Sequence, residues 1–205
     1  QEVLEYPLYV QPYLIIPEDT SSDYRVEEVL MTRRLNRAFA EVRAWYLARL
    51  PGKDLDVRSY IPVYSPFSKK FHECRDTSIM ERGVSCNVND PYFQALRVLR
   101  SELGVDINTW ENKPCNVRSV IMFYKHHPGY AGAYSANNPE PCTSVDGLPV
   151  YSTGGTATVG SAVIYGVMGD AASTAECLAE YERWGILRDD FPANFCGNYN
   201  TALYT

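Results

Sequence analysis

Six cysteines, Cys74, Cys86, Cys115, Cys142, Cys177 and Cys196, constrain this 205-residue chain more than any other feature. Between 11 and 34 residues separate consecutive cysteines, so no two stand close enough to form a paired metal knuckle. An even count at irregular spacing reads as a disulfide framework, and disulfides persist in oxidising compartments. The chain is therefore expected to be secreted, in an extracellular setting. Gln1 in place of an initiator Met agrees with a new N-terminus left by signal-peptide removal. Among the connectivities that six cysteines allow, the expected one joins sequence neighbours: 74 with 86, 115 with 142 and 177 with 196.

The cysteines supplement a core rather than replace one, because 45% hydrophobic residues over 205 positions suffice for a single domain spanning 1–205. A formal charge of -6 argues against nucleic acid as a partner, since phosphate contacts need a basic face. The excess is uneven. Residues 1–100 carry 14 basic and 14 acidic side chains, whereas residues 101–205 carry 5 and 11. No stretch approaches the roughly 20 apolar residues that span a bilayer, so no membrane span is expected.

The apolar pattern alternates between strands and helices. Tyr6 to Ile16 is aromatic and β-branched around Pro7 and Pro12, which predicts a strand near a sheet edge. Met31, Leu35, Ala38, Val42 and Trp45 recur at helical spacing and predict a helix from about Asp23 to Leu50, ended by Pro51 and Gly52. Its Arg33, Arg37 and Arg43 fall on a solvated face. Leu55 to Tyr64 reads as a second strand, Cys74 to Cys86 as a polar loop, and Asp90-Pro91 as the start of a helix that Gly104 stops. Phe93, Leu96, Leu99 and Leu103 form the apolar face of that helix. Val117 to Tyr124 predicts a central strand. From about residue 126 the chain becomes loop-rich through Thr156, followed by Gly-rich strand material and a third helix with Ser173 and Glu176 as a capping box. The fold class expected is α/β: a layered sheet, one long N-terminal helix, two shorter helices and a disulfide-stapled, loop-rich second half.

No complete catalytic motif occurs. The three histidines, His72, His126 and His127, lack the one-turn spacing of a zinc-binding pair and read as surface or loop residues. Gly154 to Gly160 lacks the Lys of a phosphate loop, and no Ser sits in a nucleophile elbow. Asp189-Asp190 and the Asn87, Asn89, Asp90 group match no calcium loop. Catalytic, cofactor-binding and metal residues are accordingly expected to be none, and no cofactor is expected. The 16 tyrosines cluster at Tyr6, Tyr9 and Tyr13 and at Tyr199 and Tyr204, where they are candidate interface residues for self-association or an extracellular protein partner. Tyr130, Tyr134 and Tyr151 suggest a carbohydrate or cell-surface platform as a weaker reading.

Three stretches, Ile15-Ile16-Pro17-Glu18-Asp19, Val42-Arg43-Ala44-Trp45-Tyr46 followed by Gly52, and Gly154-Gly155-Thr156-Ala157, resemble the N-terminal part of secreted zincin-like metallopeptidase domains over Tyr6 to about Thr158. The resemblance implies an α/β sheet leading toward a metal-bearing helix with His-Glu-x-x-His. Residues 1–205 contain no such motif, so no family ligand or base is carried over to any position. Two expectations follow. The first is an extracellular structural or interaction module, non-catalytic and self-assembling. The alternative is the front part of a zinc peptidase whose catalytic helix lies beyond residue 205.

Overall fold

The computed structural model describes residues 9–50, 56–86, 91–104, 117–125, 131–135, 141–143, 149–151, 155–161, 164–165, 171–183 and 196. Its centre is strand β1 (Tyr9–Ile16), which pairs in parallel with β6 (Val117–Phe123) on one side and with β2 (Asp56–Val57) and β3 (Ile61–Tyr64) on the other. Strand β10 (Gly155–Val159) adds in parallel to β6, and β7 (Ala131–Ser135) closes the far edge antiparallel to β10.

The C-terminal halves of the two central strands, Tyr13–Ile16 and Val120–Phe123, run apolar without a break, as suits strands covered on both faces. Tyr13, Ile15, Ile121 and Phe123 point to one face and pack on Phe67, Phe71, Ala95, Val98 and Leu99. These come from α2 (Lys69–Glu73), α3 (Pro91–Leu103) and the turn before α2. Leu14, Ile16, Met122 and Tyr124 point to the opposite face. That face is covered by Tyr24, Met31 and Leu35 of α1 (Ser21–Arg49) and by Cys177 of α4 (Ala171–Arg183). Odd and even residues of one strand thus feed two cores, giving three layers with the sheet in the middle.

Pro12 makes β1 read as an edge strand, yet β1 is central. The register supplies the reason. Val10 and Ile16 accept from Arg58 and Ser65 across the β2–β3 side, whereas Ile15 accepts from Tyr124 on the β6 side. Backbone groups of even residues therefore face β2 and β3, and so does the donorless nitrogen of Pro12. That side is broken between Val57 and Ile61, where the Gln11 side chain reaches in to the carbonyls of Pro12 at 3.1 Å and Ser59 at 3.0 Å. The proline costs no ladder bond because no partner strand stands opposite it.

Segment 74–86 is more ordered than a polar loop. Strands β4 (Met80–Glu81) and β5 (Val84–Ser85) form a hairpin whose Arg82 and Gly83 have φ of 51° and 75°, the two-residue turn that suits strand twist. Likewise the region from 126 onward holds β7, the β8 (Pro141–Thr143) and β9 (Pro149–Tyr151) hairpin, and the start of β10. Short Gly- and Pro-bearing strands carry too little periodicity to be told from loop. The capping box also shifts, since α4 begins at Ala171 and Ser173 lies buried inside it. In α3, Gly104 stops the helix at φ 63° as expected, but Leu103 is exposed, with Ala95 and Val98 completing the buried face.

Two of the three expected disulfides fall within the described residues. Cys74 pairs with Cys86 and Cys177 with Cys196, at Cα separations of 5.5 and 5.6 Å. Both are core elements, one in each hydrophobic cluster. Cys142 lies in β8; the pairing expected for it involves Cys115, outside the described residues.

Candidate interaction surface

Beyond their C-terminal ends, β1 and β6 send their chains in opposite directions, β1 through α1 to β2 and β3, β6 toward β7 and β10. Such a divergence opens a crevice where α/β sheets commonly take ligands. Here the protein fills it with its own side chains. Lys125 leaves β6 with φ 53°, a left-handed conformation costly for a residue with a Cβ. This turn sends its ammonium to Glu27 Oε1 at 3.1 Å and Asp23 Oδ2 at 3.7 Å, both on the first turns of α1. The other Glu27 oxygen accepts from the Tyr124 hydroxyl at 2.9 Å. Burial, then the Glu27 carboxylate, raises the Tyr124 phenol well above its ordinary value.

A second network lies beside the first. The Tyr60 hydroxyl stands 2.8 Å from both the Tyr24 hydroxyl and Thr32 Oγ1, and the Tyr24 ring meets Tyr64 and Tyr124 edge-on at 6.1 and 5.4 Å. Burial and the Tyr60 hydrogen bond raise the Tyr24 phenol in turn. The two networks fasten α1 to the sheet, and Lys125 has its charge matched by two carboxylates. The arrangement binds the fold together, with its charges paired among the described residues.

A third polar pair has the look of catalysis without its access. Ser65 Oγ and His72 Nε2 are 2.7 Å apart, the geometry of a nucleophile and its base. Both residues are buried, Ser65 also accepts from the Phe67 N–H, and the ring packs among Phe67, Phe71 and Phe123. His72 is thus a core residue rather than the surface histidine its sequence context predicts. The available signal was its place beside Phe71, one helical turn from Phe67. Among the described residues, no group of three His, Cys, Asp or Glu is placed to hold a metal. His126, His127, Asp189, Asp190, Asn87, Asn89 and Asp90 lie outside them.

The feature left unaccounted for is the outer side of α1. Tyr24, Met31, Leu35 and Ala38 form the buried stripe, with Val42 and Trp45 half-buried beyond them. At 3.6 residues per turn, Val26, Val29, Arg33 and Arg37 fall on the opposite side, with Leu30 beside them on the flank of the stripe. Val26 is 86%, Val29 74% and Leu30 42% exposed. Single exposed aliphatics are ordinary, but three within five residues on one helix side form a patch. Helix propensity does not require them there, because β-branched valine is a poorer helix former than Ala, Glu or Lys. Farther along, Ala40, Ala44 and Leu47 line a groove of about 510 Å³ against Val57 and Ser59.

The tyrosine clusters do not form this surface. Tyr13 is a core residue at 7% exposure, packed inside rather than presented to a partner. Tyr9 is half-buried beneath the Arg58 guanidinium, 3.5 Å from its ring centroid. Tyr6, Tyr199, Tyr204 and Tyr130 lie outside the described residues. Tyr134 stands opposite Thr156 in the main sheet, and Tyr151 opposite Pro141 in a separate hairpin.

No family model matches the chain, and neither a curated protein nor a solved structure does. No helix among the described residues is long and apolar enough to cross a membrane.

Proposed function

We propose that this chain is a secreted, disulfide-stapled interaction module that self-associates through the outer side of α1. The observation that carries the reading is the exposure of Val26 and Val29 opposite the buried stripe of the same helix, with Leu30 beside them. Burying an aliphatic side chain fully contributes about 1.5–3 kcal/mol, so the two valines and the exposed part of Leu30 offset part of the cost of association. Two disulfides set in the cores agree with an oxidising location. Sedimentation over a concentration series tests the reading. The wild type is expected to associate and Val26→Asp/Val29→Asp to remain monomeric, with an unchanged circular dichroism spectrum because both positions are exposed. Equal masses for the two proteins at every concentration would sink it.

A second reading, the front part of a zincin-like peptidase, rests on the three stretches of resemblance alone. Ile15 and Ile16 end β1, Val42–Tyr46 lie in α1 and Gly155–Ala157 in β10. It predicts a gene product extending past residue 205 into His-Glu-x-x-His and proteolysis by that longer form that a chelator abolishes.

A further inference from the structure

We infer that the partner of the exposed α1 side is α4 of a second copy, in a closed two-fold dimer. The inference rests on the self-association reading above and names its geometry. Helices α1 and α4 cover the same face of the sheet, since both contribute to the core around Leu14, Ile16 and Met122. Their outer sides therefore belong to one layer, and the two sides differ in character. From residue 33 to 49, α1 carries Arg33, Arg34, Arg37, Arg43 and Arg49 against Glu41 alone. Helix α4 carries Glu176, Glu180 and Glu182 against Arg183. Its exposed positions include Ala172, Ala175, Glu176, Ala179 and Glu182, which recur at helical spacing.

Small residues let a second helix approach at the short end of the usual 8–10 Å range, so Val26, Val29 and Leu30 can lie on an alanine surface with glutamates beside the arginines. A two-fold interface must be complementary to itself. A layer made of α1, with an aliphatic patch at Val26–Leu30 followed by arginines from Arg33 onward, and of an acidic, small-residue helix meets that condition. In the proposed dimer the two-fold axis passes between the two helices, so that each α1 meets the other copy's α4 and the contact is made twice. The alternative axis, across the helices, stacks α1 on α1 and leaves the acidic residues of α4 without a basic partner. Arg37 already pairs with Glu41 at 3.8 Å on the surface, an exposed bridge that is cheaply exchanged for an intermolecular one.

The test is a charge exchange read by sedimentation and native mass spectrometry. One variant is Arg33→Glu/Arg37→Glu and the other Glu176→Arg/Glu182→Arg. All four positions are exposed, so folding is not at stake, and circular dichroism checks this. Each variant alone is expected to lose dimer, its dissociation constant rising tenfold or more. Mixed together they are expected to form a heterodimer, because both contacts then join opposite charges. If Val26→Asp/Val29→Asp abolishes association while Glu176→Arg/Glu182→Arg still dimerises like the wild type, the docking on α4 is wrong and self-association through α1 stands. Failure of the mixture to form a heterodimer overturns the pairing likewise. A wild type that stays monomeric at the highest concentration reached overturns both.

Discussion

Replacing Cys74 and Cys86 together by alanine removes a cross-link that closes a loop with a sequence separation of 12. In the chain-entropy account, a closed loop of that length restricts the unfolded state by about 2.8 kcal/mol at 25 °C. The sulfurs add a packing contribution, because both cysteines are buried against Phe71, Leu99 and their neighbours. Losing two buried sulfurs leaves a small void worth about another 1 kcal/mol. The expected destabilisation is therefore about 3–4 kcal/mol, a large part of the roughly 5–15 kcal/mol by which a domain is stable. For a chain of this size it corresponds to a fall in Tm of about 6–16 °C. Calorimetry and urea unfolding of the Cys74→Ala/Cys86→Ala protein give the number directly. A loss below about 1 kcal/mol would falsify the entropic argument. It would mean that the unfolded loop is already closed by other contacts, such as those of the Arg82-Gly83 hairpin or of Glu81, which binds both the backbone N–H and the hydroxyl of Ser68.

Alkaline pH should destabilise the fold through its buried phenols. Tyr24 and Tyr124 ionise in the folded state well above the ordinary value of 10.0, so the unfolded chain loses these protons first. Their contribution is fully present below pH 10 and declines above it by about 1.4 kcal/mol per pH unit for each phenol. Absorbance of tyrosinate should then rise in step with unfolding, and a Tyr24→Phe/Tyr124→Phe protein should show a shallower alkaline loss; equal slopes would refute the assignment. Ser68→Ala should cost about 1–2 kcal/mol, since Ser68 caps α2 by accepting from Phe71 N at 3.2 Å and also donates to Glu81. Chemical denaturation that registers no change would show that neither bond matters to stability.

The position of an element in the chain was easier to read than its position in the sheet. The long helix, the Gly104 stop and the central strand at Val117–Phe123 follow from local chemistry, in which periodicity, caps and β-branching act over a few residues. Two cysteine pairings followed from nearness in sequence. The misreading of β1 has a definite origin. A proline reports a missing donor, but whether that donor would have met a strand depends on a break between Val57 and Ile61, some 45 residues away. His72 was misread for a similar reason, because the hydroxyl that satisfies it comes from Ser65 on the far side of a turn.

The interaction surface divides in the same way. Sequence alone determined that α1 carries arginines off its buried stripe and that the second half of the chain is acidic, since charge and helical spacing are local and additive. Only the tertiary structure decided that Val26, Val29 and Leu30 face outward and that α1 and α4 share one side of the sheet. A helix rich in apolar residues on several sides does not say which side the sheet will cover. That choice is made by the strands, whose alternating residues offer two faces, and by the Tyr24, Tyr60, Tyr124 and Glu27 contacts that fix how α1 is rotated against one of them.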